Sequence, residues 1–562
     1  MSGADERRAR KQARIEAAPK GRLAQFQNVL SVRGTSNRAL HQILRCVLDD
    51  PPDRKTLTDV GQARFVCVME TLRLPASNGA SEVTWELANP GRLVTMLVAE
   101  SPAFQEHLGK ALNAFPCTEE SPWSILVGWD ENVPGNKVGH HLPRKSMVLS
   151  FSFQELGPGC LCHESAWFTP IIVRSSVLKS VAGGWSLMLR RFLRLLLLSE
   201  GGFQTSGIPV VILGKPTLLY ARVKNLLSDG DGHKLAFQWM GASAIKPCIR
   251  HWNVLKKDSD RAGHAEHYVE IDCADPSAFL LWGDASFHEA VDVAVEADAQ
   301  CARGELAPAE LKDVQQAYGL KCTAQGLLAD RALRRCFTVQ DAFRYDWVHT
   351  MLADGLLTTE AWGLVAACEA RGVCTQGDIA AFLQEGWEVP QYRRHQGRAL
   401  WRVFNEHGSA TNSKEGTIKC KASELLKLCS LLRHFVETRV AADARVAAEC
   451  RCFLLACKAC DILLLAKRRA LSHADAAARL EAVLAEYRAE HKRVYGTARV
   501  KPKCHWIWDV AEALRRDRWI FDAFIIERLH LRTLVVADNV LGGKRRTRGP
   551  SSAASSTSTR AH

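Results

Sequence analysis

Two aspartate positions stand where apolar runs end, a placement that suits metal-assisted phosphodiester chemistry. Asp130 closes the run Ser124–Trp129 and precedes a turn, in Gly128-Trp129-Asp130-Glu131-Asn132-Val133-Pro134-Gly135. Asp229 and Asp231 follow the run Leu218–Leu227, in Leu227-Ser228-Asp229-Gly230-Asp231-Gly232. Carboxylates at strand ends sit on rigid elements and can converge from distant sequence positions. Mg²⁺ prefers such oxygen ligands and keeps several of its waters. Two such ions about 3.5–4 Å apart activate a nucleophile and stabilise the leaving oxygen of a phosphodiester. Taken alone, Asp-Gly-Asp-Gly is ordinary turn chemistry. The ligand spacing and distal Glu of an EF-hand are absent.

Further groups could do chemistry. Cys248 and His251 have metal-ligand spacing, and with Cys273 and either His264 or His267 they would make a Cys₂His₂ set for structural Zn²⁺. The plainer reading is a reduced Cys and a surface His. Asp346 and His349 lie one helical turn apart, either facing an active site or forming a cap-and-core pair. Lys246, Arg250, Lys256 and Lys257 cluster after the second aspartate, as phosphate contacts or as a solvated face. His505, beside Trp506 and Trp508, reads as structural.

Elements of two periods must position these groups. Ser124–Trp129, Lys145–Leu156 and Trp167–Arg174 read as strands. Gly184–Ser199 is helical, with Trp185, Met188, Leu189, Phe192, Leu195 and Leu196 on one stripe. Leu218–Leu227 returns as a strand, and a helix follows from about Lys234 to Met240. Three strands, a helix, a strand, an acidic turn and a helix match the first half of an RNase H-like α/β fold. Residues 23–115 read as an α-rich N-terminal domain and 121–275 as the first part of the core. Residues 276–500 form a large α-helical insertion. In it, Leu425, Leu428, Leu432, Phe435 and Val436 make one stripe. Ser472 with Asp475 starts another helix that runs through Leu480, Val483, Leu484, Tyr487 and His491. Residues 501–541 close the core.

The chain has 562 residues, enough for two to four domains, with 47% hydrophobic residues to build their cores. Its formal charge of +13 favours a polyanionic partner such as nucleic acid or an anionic membrane surface. Basic arms at 1–22 and 542–562 read as solvated tails, or as DNA-contacting or nuclear-targeting segments. Nineteen cysteines, an odd count in a long chain with a charged N-terminus, argue against a secreted disulfide framework. Reduced core thiols in a nuclear or cytoplasmic protein are expected instead. The apolar runs Ser186–Leu198 and Phe453–Ala466 carry charges and fall short of the roughly 20 residues that span a bilayer, so no membrane partner is expected.

Four blocks together resemble transposases of the Kyakuja-Dileera-Zisupton and Plavaka type, relatives of the CACTA-type DDE transposases. They are Gly128-Trp129-Asp130-Glu131 with Lys145–Phe153; Leu227 through Asp229 to Gly241, Cys248 and His251; Tyr345-Asp346-Trp347-Val348-His349; and Tyr495-Gly496, Pro502-Lys503-Cys504-His505 and Ile526-Glu527-Arg528. The resemblance spans about residues 121–535. It implies Asp130, Asp229 and Glu527 as catalytic carboxylates binding Mg²⁺ or Mn²⁺, with Asp231 in reserve and Asp346 and His349 as accessory groups. It implies DNA cleavage and strand transfer, and is compatible with a homo-oligomer. Departures from the pattern, above all Cys-x-x-His in place of Cys-x-x-Cys, keep a rival reading open: a DNA-binding or scaffold protein without catalysis. A third, an unrelated helical interaction protein, predicts no mixed sheet with Ser124–Trp129 beside Leu218–Leu227.

Overall fold

The computed structural model describes residues 68–77, 79, 82–132, 145–256, 267–385, 400–497, 499–520 and 525–529. The basic arms, His264 and Lys257 lie outside them.

A mixed five-stranded sheet organises the chain from Glu70 onward. Its strands are β1 (Trp123–Asn132), β2 (Ser146–Phe153), β3 (Phe168–Arg174), β4 (Ala221–Ser228) and β5 (Phe343–Tyr345). Their order across the sheet is β3-β2-β1-β4-β5. β1 and β2 are antiparallel, as are β2 and β3, whereas β1, β4 and β5 run parallel. Ser124–Trp129 therefore lies beside residues of the Leu218–Leu227 run, which removes the reading as an unrelated helical protein.

Side-chain alternation on β1 explains why the sheet is covered on both faces. Trp123, Ile125, Val127 and Trp129 enter the large core. There they meet α1 (Gly184–Leu197), which buries Trp185, Met188, Leu189, Phe192 and Leu196. Phe151 stacks on Phe168 at 5.1 Å, and Trp129 lies 6.5 Å from Trp185. Leu126 points the other way, into a smaller cluster with Leu227, Trp167, Ile525, Ile526 and Leu529.

The remaining helices that bear on the site are α2 (Gly230–Phe237), α3 (Trp347–Met351), α4 (Leu356–Ala370), α5 (Ala422–Phe435), α6 (Ala447–Lys467), α7 (His473–Tyr495) and α8 (Lys503–Asp517). The expected stripes pack as the spacing requires. Leu425, Leu428, Leu432 and Phe435 are buried on α5. Ser472 caps α7 by accepting from the Asp475 N–H, and Leu480, Val483, Leu484, Tyr487 and His491 are buried.

Three expectations need correction. Met69–Pro75 and Glu82–Ala88 are strands, ahead of the helices Pro90–Glu100 and Pro102–Ala114, so 23–115 is not wholly helical. The run Leu218–Leu227 is two elements, because Tyr220 separates β4 from Lys215–Leu219, which pairs with Ile208–Ile212. The region 276–500 is not a pure helical insertion, because it supplies β5 to the sheet. Among the described residues no helix is long and apolar enough to cross a membrane.

His233 shows how tightly the end of β4 is held. Its ring is fully buried on α2, donates from Nε2 to the Arg344 carbonyl at 2.8 Å, and lies 4.1 Å from Phe343. Burial pushes its pKa down to about 3. The neutral ring favours folding fully above the ordinary His value near 6.5, and that contribution is lost as the pH falls from there toward 3. Over that window, stability against pH in urea titrations is expected to be less steep in His233→Gln than in the wild type. The difference should approach one proton, about 1.4 kcal/mol per pH unit. Equal slopes would show that the ring protonates in the folded state.

Candidate active site and a buried metal-ligand cluster

Asp130 sits near the C-terminal end of β1, Asp229 directly after β4 and Asp346 directly after β5, three neighbouring parallel strands. Two hydrogen bonds fix the first pair. Trp129 Nε1 donates to the Gly232 carbonyl at 3.1 Å, and Ser228 Oγ donates to the Trp129 carbonyl at 2.8 Å. Asp229 is also the N-cap of α2, accepting from the Gly232 N–H at 2.6 Å. A Cβ on Gly232 would lie 1.9 Å from Ser228 Oγ, so this turn requires glycine.

Glu527 arrives from the far end of the chain, on the helical turn 525–529. That turn packs over β1 at Gly128, where a Cβ would stand 2.5 Å from Ile526 Cδ1. Glycine at 128 is therefore what lets the turn approach the sheet. Gly128→Ala is expected to cost about 1–3 kcal/mol by overpacking. Ile526→Ala in the same chain should reopen the space, giving a coupling energy well above additivity in thermal melts. Additive effects would mean that Gly128 and Ile526 do not share this contact.

The electrostatics tie the carboxylates together. Burial pushes Asp130 up to about 7; the Asp229 charge adds to this and Glu527 adds less, while His349 and the Glu131 N–H act against it. His349, on α3, lies 2.6 Å through Nδ1 from Asp346 Oδ2. Burial disfavours its charged form, yet the Asp346 hydrogen bond and the charges of Asp346, Asp229 and Asp130 prevail and hold it up at about 9. Asp346 also caps α3 by accepting from the Val348 and His349 N–H groups. Asp231 is exposed on α2 and is not among the charges that act most on Asp130.

The donors on offer are carboxylate oxygens, the ligand type that Mg²⁺ takes. The Asp229 and Glu527 charges both disfavour ionised Asp130, a repulsion that a cation bound among the three would relieve.

A second group of ligand-type side chains lies within the core. Cys248, His251, His505 and Asp509 are all buried, with ligand atoms within 4.8 Å of one another. Cys248 Sγ is 3.4 Å from His251 Nδ1, which is 3.2 Å from His505 Nε2 and 3.8 Å from Asp509 Oδ1. Burial pushes both imidazoles down to about 3, leaving them neutral and able to ligate. It pushes the Cys248 thiol up to about 12. The cluster could hold a metal ion. Cys273 and His267 are not in it: Cys273 donates to the Asp275 carbonyl at 3.5 Å, and His267 is exposed. His505, read from sequence as structural, and Asp509, which the sequence reading did not single out, take their places. Their separation of four residues, one helical turn, was the signal for them.

The basic cluster is not a shared surface. Arg250 is 2% exposed and pairs with Asp509 and, at 2.7 Å, with Glu512. It offsets the Asp509 carboxylate inside the core instead of meeting phosphate. Lys246 is buried and donates to Tyr268 Oη at 3.0 Å. Of the expected cluster, Lys256 is exposed.

No protein-family model matches the chain, and no curated protein matches it either.

Proposed function

We propose that the chain is a transposase-derived protein with an RNase H-like core, acting on DNA at a site formed by Asp130, Asp229 and Glu527. The observation that carries it is that Asp229 and Glu527, about 300 residues apart in sequence, both act on the half-buried carboxyl of Asp130 near the C-terminal end of a strand parallel to β4. The sheet order β3-β2-β1-β4-β5, with β2 alone reversed, supports the RNase H-like reading. The resemblance from residue 121 to 535 supplies the transposase reading.

Asp130, Asp229 and Glu527 would hold Mg²⁺ or Mn²⁺. Bound there, such ions supply Lewis acidity toward an attacking hydroxyl and a leaving oxygen. Asp130 and Asp229 hold ligand oxygens on rigid strand ends. Asp346 orients His349 and keeps it charged, so the imidazolium can meet a phosphate oxygen beside the carboxylates. Of the nuclear and cytoplasmic compartments expected from the sequence, action on DNA favours the nucleus.

For the buried cluster we propose Zn²⁺. Ligand atoms around a tetrahedral ion with bonds of about 2.0–2.3 Å lie roughly 3.3–3.8 Å apart, close to the separations of 3.4, 3.2 and 3.8 Å from His251 to Cys248, His505 and Asp509. Cys248 and His251 follow β4 in the chain, whereas His505 and Asp509 lie on α8. Cys248, His251, His505 and Asp509, joined through an ion, would staple the return of the chain onto the sheet, just ahead of the turn that carries Glu527.

The test is incubation of the purified full chain with element-end DNA and Mg²⁺ or Mn²⁺. Metal-dependent nicking is expected. Its absence would leave the DNA-binding scaffold reading.

A further inference from the structure

A cavity of about 460 Å³ opens beside the turn 525–529. Its size falls within the roughly 300–1,000 Å³ of small-ligand pockets, so it admits one nucleotide and not a helix of DNA. Leu126, Leu161, Trp167, Leu227 and Ile525 supply apolar surface, with Trp519 beside them. Lys467, Arg468 and Arg469 from the end of α6 also line it, as does Arg528, which donates to the Cys162 carbonyl at 2.6 Å. Among the described residues lining the cavity there are four Lys or Arg and no carboxylate. Flat apolar walls with cationic groups match a heterocycle that carries a phosphate. An aliphatic acid would use the charge but not the indole.

The location narrows the occupant further. Leu126 precedes Asp130 by four residues on β1, and Leu227 precedes Asp229 by two. At about 3.3 Å per strand residue the cavity lies roughly 7–13 Å from the carboxylates. That is about two to four nucleotides along a strand stacked at 3.4 Å. Ile525 and Arg528 of the turn that carries Glu527 face the cavity, so one element serves both places.

We infer that this cavity holds one unstacked nucleotide of a single strand, its base against Trp519 and its phosphate on Arg468, Arg469 and Arg528. The inference rests on the reading of the carboxylates as a DNA-processing site and names a subsite of it. Base–aromatic stacking of this kind tolerates any base, because every base offers a π-face. Extruding a base costs least where the strand is already unpaired.

The experiment uses the full chain and short single strands, DNA and RNA, carrying the fluorescent base 2-aminopurine, without added Mg²⁺ so that binding is read without cutting. Quenching of the DNA probe is expected on binding. Trp519→Ala should abolish the quenching and weaken binding about tenfold, whereas Trp519→Phe should stay within about threefold of the wild type. Arg468→Gln with Arg469→Gln should lower the slope of log affinity against log salt by about one. Unchanged quenching and affinity in Trp519→Ala, or quenching of the RNA probe alone, would overturn the inference. So would an equal loss in Trp519→Phe and Trp519→Ala. Loss of nicking with quenching intact would count against the catalytic reading and leave the subsite standing.

Discussion

Asp130→Asn, Asp229→Asn and Glu527→Gln are each expected to lower metal-dependent nicking by on the order of a thousandfold, about 4 kcal/mol in the barrier. The three act as one unit, so any pair should cost little more than a single change. Asp130→Asn should not unfold the protein. Its carboxyl is already pushed up to about 7 by burial and by Asp229, so a neutral amide removes repulsion from the folded state. The variant is therefore expected to melt no lower than the wild type while losing activity. Asp231→Asn, exposed on α2, serves as the control and should nick as the wild type does. A variant of Asp130 that nicks normally would remove Asp130 from the chemistry. Loss of activity accompanied by a collapsed melting temperature would mean that the carboxylate is structural.

The second large effect concerns the buried cluster. Purified protein is expected to carry about one equivalent of zinc by elemental analysis. Cys248→Ser and His505→Ala should each lose it. Removal of the ion by a strong chelator is expected to lower stability by several kcal/mol, because binding free energy at a structural site is folding free energy. Without an ion, Cys248, His251, His505 and Asp509 leave buried polar atoms poorly satisfied. Among the described residues, His505 Nδ1 and Asp509 Oδ2 meet no hydrogen-bond partner, a costly arrangement in a dry interior. Because α8 leads to the turn 525–529, chelation should also impair nicking at saturating Mg²⁺. Protein that is zinc-free as purified, with a melting temperature unmoved by chelator, would return the cluster to the status of a polar core.

The parts of the fold that could be read from the chain are those with long, unambiguous periods. β1, β2 and α1 show themselves through Ile125, Val127, Phe151, Phe153 and the Trp185–Phe192 stripe. The Ser472 cap is legible because its side-chain oxygen has one obvious partner, the Asp475 N–H. β5 was not legible: three residues, Phe343–Tyr345, carry no period, and only pairing with β4 makes them a strand. The Leu218–Leu227 run misled because Leu218, Leu219 and Leu226 are alike in character while Tyr220 breaks the pairing between them. Cys248 and His251 announced half of a ligand set by their spacing. The other half lies more than 250 residues on, at His505 and Asp509, where only tertiary packing brings it near. Arg250 read as a surface cation because its charge is visible in the sequence and its partners, Asp509 and Glu512, are not.

Mn²⁺ binding followed by electron paramagnetic resonance tests most directly whether Asp130, Asp229 and Glu527 share divalent cations. The zinc-loaded full chain is expected to bind Mn²⁺, with spin–spin coupling between two ions about 3.5–4 Å apart. Asp130→Asn should abolish the coupled signal, and Asp231→Asn should leave it unchanged. Uncoupled Mn²⁺, or a coupled signal that survives Asp130→Asn, would contradict the account.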